Sequence, residues 1–166
     1  AGNKSITKLT FTLCDFPWGD IFETLVPFFK NNGRFDSLKI CCPGDDCFLP
    51  LISALSEFNS LKEFEYSGNE GVEGAIDDDK ARALVRALAG HSSLGRLILS
   101  ENNIRGCDAL ATLLHSHRLA LLDLRENQID NDGAVVLAAG IMGSNTLNDL
   151  ILEYNPNITE TGWQAI

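Results

Sequence analysis

Long apolar runs are missing from this sequence, although 45% of its 166 residues are hydrophobic. No stretch approaches the roughly 20 consecutive apolar residues that a membrane-spanning helix needs. No charged, apolar and small-residue leader marks a secretory signal either. Since the sequence opens without an initiator Met, we expect it to be an excerpt of a longer chain.

Positive charge is scarce. The chain has 13 Lys and Arg against 23 Asp and Glu, which gives a formal net charge of -10 at pH 7. This balance argues against nucleic acid or an anionic membrane surface as the main partner. It favours a protein partner with a basic surface, although an acidic surface also keeps a protein soluble.

Cysteine is present only five times, without the spacing of a metal site. The cysteines are Cys14, Cys41, Cys42, Cys47 and Cys107. None forms the paired C-x-x-C pattern of a structural zinc site, and no His lies near the cluster. Because no clear disulfide framework is visible, we expect the cytoplasm or another reducing compartment. Whether Cys41, Cys42 and Cys47 are free, reactive or bridged stays open.

Catalytic motifs are also missing. The sequence has no phosphate-binding loop, no dinucleotide fingerprint, no H-E-x-x-H and no G-x-S-x-G. The pair His115 and His117 would point to different faces of a helix, so we interpret it as a solvated helix end and not as a metal site. We therefore predict neither an enzyme nor a cofactor.

What the sequence does contain is a spacing that returns six times. Leu94, Leu97, Leu99 and Asn102 stand at offsets 0, 3, 5 and 8, and copies of this frame start near residues 6, 35, 61, 94, 119 and 147. Residues at offsets 3 and 5 share one face of an extended segment, which predicts a strand with one buried face. The Asn then satisfies backbone groups where the chain turns.

Each strand is followed by a helical pattern. Apolar residues at i, i+3, i+4 and i+7 lie on one helix face, and such sets begin at six places. They begin at Phe22, Phe48, Ala81, Cys107, Ala134 and Trp163. Asp45-Asp46 and Asp77-Asp78-Asp79 precede helices, where we expect them to cap the free N–H groups, and Pro50 is tolerated in a first turn. The repeating unit is strand, turn, helix.

This unit resembles the leucine-rich repeat, in particular its ribonuclease-inhibitor-like subclass, as in the run from Leu119 to Ile129 with Gly133 opening the next helix. The resemblance implies a right-handed α/β horseshoe solenoid of about six repeats, with a parallel concave sheet and convex helices. We expect one array over residues 1–166. The third unit is the longest, and its excess in residues 68–74 predicts a loop on one rim, where repeat proteins often contact partners.

Residues between the framework positions of the strands should face the concave surface. There, charges surround single apolar or aromatic side chains, a mixture typical of interface anchors with a polar rim. Such residues could also pack on one another in a curved sheet and bind nothing. The candidate partner-binding residues are Glu63, Glu65, Arg96, Ile98, Glu101, Asp123, Arg125, Glu126, Ile151, Glu153 and Tyr154.

Three functions fit this pattern. The first is a non-enzymatic protein-interaction scaffold that binds its partner through the concave sheet and rim loops. The second is a regulatory or GTPase-activating subunit for a small GTPase, because proteins of the resembled subclass include the GTPase-activating protein of Ran; Arg105 and Arg125 near strand ends would be its candidates. The third is a structural segment or subunit of a larger assembly. Fold resemblance does not choose among them.

Overall fold

A computed structural model describes residues 5–14, 18–31, 35–43, 45–68, 74–116 and 118–166. In these ranges strands and helices alternate along the chain. The strands are β1 (Lys8–Cys14), β2 (Ser37–Pro43), β3 (Glu63–Ser67), β4 (Arg96–Ile98), β5 (Leu121–Asp123) and β6 (Asp149–Ile151). The helices are α1 (Trp18–Asn31), α2 (Phe48–Leu55), α3 (Asp78–Leu88), α4 (Asp108–Ser116), α5 (Asn131–Met142) and α6 (Glu160–Trp163).

The strands form one parallel sheet in the order β1-β2-β3-β4-β5-β6. The residues at offset 3 of the repeat frame stand side by side in the register of this sheet, which confirms the spacing from which the strands were predicted. This row is Leu9, Leu38, Phe64, Leu97, Leu122 and Leu150. A parallel sheet in sequence order, with a helix after each strand, confirms the α/β horseshoe solenoid and its leucine-rich-repeat architecture.

The core lies between the sheet and the helices. Leu94, Leu97 and Leu99 have no exposed surface, and the corresponding residues of the fifth unit are also buried. On the helix side Phe22, Phe48, Ala81, Cys107 and Ala134 are buried, as the helical spacing predicts, whereas Trp163, which begins the sixth set, is 50% exposed. In a solenoid, each repeat buries its apolar face only by stacking on its neighbours.

Buried asparagines connect successive repeats. The amide of Asn127 donates to the carbonyl oxygens of Leu99 (2.8 Å) and Leu124 (3.1 Å), and its Oδ1 accepts from the N–H of Ile104 at 3.0 Å. Asn102 and Asn155 make the same kind of contacts one repeat earlier and one repeat later. The asparagine therefore satisfies its own turn and backbone groups of the preceding unit, as predicted.

Of the two expected helix caps, the one by the run that begins at Asp77 is confirmed, and Asp130 caps α5 in the same way. Asp77 accepts from the N–H of Lys80 at 2.8 Å, and Asp130 accepts from the N–H of Gly133 at 2.9 Å. The expected cap by Asp45-Asp46 is wrong, because Asp45–Cys47 form a turn of 3₁₀ helix and Cys47, which makes no side-chain cap, is the residue before α2. Hydrogen bonds of a 3₁₀ turn are another way to satisfy the free backbone groups at the end of a helix.

The loop predicted at residues 68–74 lies mostly outside the described residues, since only Gly68 and Gly74 belong to them. Its length and its place on the rim therefore stay predictions. No helix in the described ranges is long and apolar enough to cross a membrane.

Candidate functional site: the concave sheet face

The residues between framework positions form rows across the concave face. The alternation of the strand places them opposite the buried row, on the side of the sheet away from the helices. The central row is Thr10, Lys39, Glu65, Ile98, Asp123 and Ile151, and the row before it is Lys8, Ser37, Glu63, Arg96, Leu121 and Asp149.

Glu63 is the centre of a network of hydrogen bonds and ion pairs in the row of residues nearest the amino ends of the strands. Its carboxylate accepts from Ser37 Oγ at 3.2 Å and from Arg96 Nε at 3.2 Å, and it lies 3.7 Å from Lys8 Nζ. The predicted residues Glu63 and Arg96 are thus a pair across neighbouring strands. Such a pair contributes little to stability at an exposed site.

A second polar group lies in the middle of the face. Lys39 Nζ is 2.5 Å from Glu65 Oε1, which also accepts from Ser67 Oγ at 3.1 Å. Ser67 Oγ is in turn 3.2 Å from Ser100 Oγ. The hydrogen bond to Glu65 is the main cause that raises the pKa of Lys39. This lysine is charged at neutral pH and neutralises Glu65.

Asp123 and Arg125 form a doubly hydrogen-bonded ion pair on the face. The guanidinium donates to both carboxylate oxygens, from Nη2 to Oδ2 at 2.6 Å and from Nε to Oδ1 at 3.0 Å. The carboxylate side chain is only 6% exposed, while Arg125 is 41% exposed. Hydrogen bonding to Asp123 raises the pKa of Arg125, so its charge is fixed. A forked arginine–carboxylate contact of this kind is the strongest ion-pair geometry in proteins.

These groups surround a hollow of about 430 Å³. Its wall contains six of the predicted residues: Glu65, Ile98, Glu101, Asp123, Arg125 and Glu126. The hollow exists because small residues follow the central row at the strand ends, where bulky side chains would fill the space. They are Cys41, Ser67, Gly68 and Ser100. The structure therefore brings most of the predicted site together around one depression.

The buried asparagines Asn102, Asn127 and Asn155 form a ladder along the repeats. Glu101 and Glu126 occupy the same repeat position, immediately before the first two of these asparagines. Their backbones are left-handed, with φ of 59° and 54°, and Tyr154 follows at 57°. L-residues adopt this region at some cost, so the position is held by the surrounding hydrogen bonds. Among the described residues neither glutamate has an ion-pair partner within 4 Å, in contrast to Glu65 and Asp123.

The remaining predicted residues, Ile151, Glu153 and Tyr154, lie on the last strand or just beyond it. Ile151 stands next to Asp123 in the register, and Glu153 is exposed just beyond β6. Tyr154 is 75% exposed and lines a second hollow of about 750 Å³ together with Glu126, Pro156 and Trp163. Glu126 therefore belongs to both hollows, which makes the surface continuous from β3 to the last repeat.

Two groups of residues escaped the sequence analysis. The first consists of Ser67 and Ser100, which the strict alternation of the strands could have added to the site. The second is His91, which lies in the connection between α3 and β4. It is fully buried, accepts from the N–H of Leu61 through Nδ1 at 3.2 Å, and its Nε2 lies 3.0 Å from the carbonyl of Leu55.

Both candidate arginines of the GTPase hypothesis are bonded to carboxylates. Arg125 is paired with Asp123, and Arg105 Nε lies 2.6 Å from Asp130 Oδ2 at the amino ends of the helices. The backbone N–H of Arg105 also donates to Asp78 at 2.8 Å, a bond between successive repeats.

Within the ranges that the structure describes, no group of three or more His, Cys, Asp or Glu could hold a metal ion. Burial raises the pKa of the Cys107 thiol to about 12, with further contributions from Asp78 and Asp108. Cys107 is therefore a protonated, unreactive core residue at neutral pH. The predicted reducing compartment stays a prediction.

Comparison with known proteins places the chain beside two others. No protein-family model matches it. Tonsoku-like protein of Bos taurus is 46% identical over 79 residues, which are 46% of this chain and 6% of that protein. A crystal structure of an internalin from Listeria monocytogenes shares 17% identity at a TM-score of 0.34, covering 82% of this chain and 53% of the internalin. The chain thus spans only a small part of the curated relative and about half of the internalin.

Proposed function

We propose that this chain is a non-catalytic interaction scaffold built of leucine-rich repeats of the ribonuclease-inhibitor-like subclass. It binds a protein partner through the concave sheet face and the rim at the strand ends. The repeat lengths of 25 to 29 residues in most units and the regular helix after each strand support the subclass.

The observation that carries the proposal is the hollow of about 430 Å³. Side chains that lie as much as 87 positions apart, from Lys39 to Glu126, are brought to one depression by the parallel register. Rigid repeats hold them there, and concave surfaces with an apolar centre and a charged rim are typical of protein interfaces.

The net charge of the concave face supports a partner with a basic surface. Every cation of the face is paired with a carboxylate in the described residues: Lys8, Lys39, Lys62, Arg96 and Arg125. In the part of the face that the structure describes, the carboxylates without an ion pair are Glu101, Glu126, Asp149 and Glu153, all in the carboxyl-terminal half. A partner with a basic surface satisfies them, and complementary charge of this kind raises the association rate.

The test is affinity capture from the native source, followed by crosslinking mass spectrometry of the captured proteins. The bait is the chain itself, its E101K/E126K variant, and a matched E23K/D132K variant. Glu23 and Asp132 are exposed on α1 and α5, so the control changes the net charge equally but leaves the concave face intact.

We expect the control to retain the partners of the unmodified chain and the concave variant to lose them. Equal capture by all three baits, or crosslinks confined to the helical side, would contradict the proposal. Crosslinks only to further copies of the same protein would support the alternative of a structural segment instead.

The GTPase alternative stays a prediction. Either arginine would first have to leave a carboxylate to reach a nucleotide on a partner. An R105A/R125A variant that changes the rate of GTP hydrolysis by a partner GTPase would favour it.

A further inference from the structure

The concave face around the hollow is a sheet surface with an uncompensated charge. Its wall carries two cations, Lys39 and Arg125, and four carboxylates. Ion pairs neutralise the charge of Lys39 with that of Glu65, and the charge of Arg125 with that of Asp123. The excess of two negative charges is therefore located on Glu101 and Glu126.

These two glutamates are held at a fixed separation. They lie on adjacent chain segments, because the N–H of Glu101 donates to the carbonyl of Arg125 and the N–H of Asn102 donates to that of Glu126, both at 3.1 Å. Adjacent strands are about 4.8 Å apart. Their left-handed backbones fix the direction in which both side chains leave the sheet. The rim therefore presents two carboxylates side by side.

Ile98 provides an apolar surface below them. It is half-buried in the central row, between Glu65 on β3 and Asp123 on β5, and it lines the same hollow. A ligand group that satisfies this arrangement needs an apolar stem and a cationic end with several hydrogen-bond donors. Among protein side chains only arginine and lysine combine a long aliphatic stem with a permanent charge.

We propose that the hollow takes an arginine side chain from a basic segment of the partner protein. The stem packs on Ile98, and the guanidinium bridges Glu101 and Glu126. The planar guanidinium offers five N–H donors in a fixed fork, so it can bond to two carboxylates at once, whereas a lysine ammonium acts as a point charge. This inference rests on the proposed function and names the chemistry of the partner.

The experiment uses fluorescein-labelled nonapeptides of Gly and Ser that carry three identical residues, which are Arg, Lys or Glu. Binding to the 166-residue chain is measured by fluorescence anisotropy at 50 mM and 500 mM NaCl. We expect the Arg probe to bind best, the Lys probe more weakly, and the Glu probe not at all. Equal binding of the Arg and Lys probes would overturn the preference for arginine.

Variants then locate the binding. E101Q/E126Q should weaken the Arg probe at least tenfold, whereas E23Q/D132N, which removes the same charge from the helical side, should stay within twofold. Equal weakening by both variants would mean that only the net charge attracts the probe, and would overturn the proposed site. Circular dichroism with thermal unfolding verifies that each variant is folded.

The I98S variant tests the stem contact separately. High salt screens the charge of the rim. The loss caused by I98S should therefore remain several-fold at 500 mM NaCl, while the loss caused by E101Q/E126Q shrinks. An I98S variant with unchanged affinity at both salt concentrations would contradict insertion into the hollow.

The two proposals fail in different ways. If E101K/E126K abolishes capture of the natural partner but the Arg probe binds all variants alike, the concave interface stands and the arginine anchor is wrong. If the Arg probe behaves as expected but capture is unaffected, the anchor pocket is real and is not the surface used by the captured partner.

Discussion

The amino-terminal and carboxyl-terminal halves of the solenoid stack their repeats in different ways. Strands β1 and β2 have seven residues and β3 has five, whereas β4, β5 and β6 have three each. The first half is packed with aromatic rings, and the second with leucines and the asparagine ladder. The comparison shows that one repeat frame can be stabilised by ring packing or by buried polar contacts.

The difference begins at the asparagine position. In the second unit it holds Pro43, which has no amide side chain to bond a turn. The chain stays extended there, and the register continues to the pair Cys14 and Pro43. In the fourth unit Asn102 holds the turn, so the strand ends earlier and the left-handed residue Glu101 follows. Longer strand pairing in the amino-terminal half thus takes the place of the asparagine hydrogen bonds of the carboxyl-terminal half.

The largest effect should come from the aromatic cluster of the first half. Phe29 is 2% exposed and stacks on Phe35 and Phe58, each with a centroid distance of 4.7 Å. We expect Phe29→Ala to lower the free energy of unfolding by about 3–5 kcal/mol, because it leaves a cavity between these rings. Urea unfolding measures the change. Leu49→Ala, at a site that is 78% exposed, is the control and should change it little.

In the second half, loss of one asparagine of the ladder should lower the free energy of unfolding nearly as much. Asn127→Ala leaves the buried N–H of Ile104 and the carbonyl of Leu99 without their partner. We expect a loss of about 2–4 kcal/mol, the sum expected for several buried groups that lose a hydrogen bond. The matched control is Asn103→Ala, since Asn103 lies outside the ladder. Equal losses for both variants in urea unfolding would mean that the ladder contributes nothing special.

His91 connects the two halves and should give an intermediate effect. Its ring bonds backbone groups of Leu55 and Leu61 and lies edge-on to Phe58, 5.0 Å between centroids. His91→Ala should cost about 2–3 kcal/mol through unpaired backbone groups and lost packing. Hydrogen exchange should show the loss in residues 55–64 first. Ser92→Ala, at an exposed neighbouring position, should leave the exchange of this segment unchanged.

The smallest effect concerns the pair of Arg105 and Asp130 on the helical side. The hydrogen bond from the Gly133 N–H, and secondly that from Arg105, lowers the pKa of Asp130. A lowered carboxyl pKa adds stability above the unfolded value, near 4, and this stability is lost as the pH falls through the folded value. Arg105→Ala should change the unfolding free energy little, because solvent screens the charge of this exposed arginine.

Titration of Asp130 by NMR separates the two causes. In the Arg105→Ala variant the pKa of Asp130 should rise but stay below its ordinary value, because the larger cause, the Gly133 N–H, remains. A return to the ordinary value would show that the arginine and not the helix cap controls this carboxylate.

How much the sequence predicts depends on how local the signal is. Strand faces, helix faces and the ladder role of Asn127 follow from spacing alone, since each reflects one side of a regular element. The hollow did not follow, because it results from the small side chains of Cys41, Ser67 and Ser100 on neighbouring repeats. His91 was missed for a similar reason: its partners lie 30 and 36 residues away, and no periodic pattern records them.

The asparagine ladder also has a mechanical consequence. Each asparagine of the ladder bonds its repeat only to the preceding one. A force applied to the two chain ends is therefore resisted by the hydrogen bonds of one asparagine at a time. We expect the carboxyl-terminal half to peel in steps, each releasing a repeat of about 25 residues, or roughly 85 Å of extended chain. In the first half, rings from the first two repeats pack around Phe29, so those two units should yield together as a single larger step.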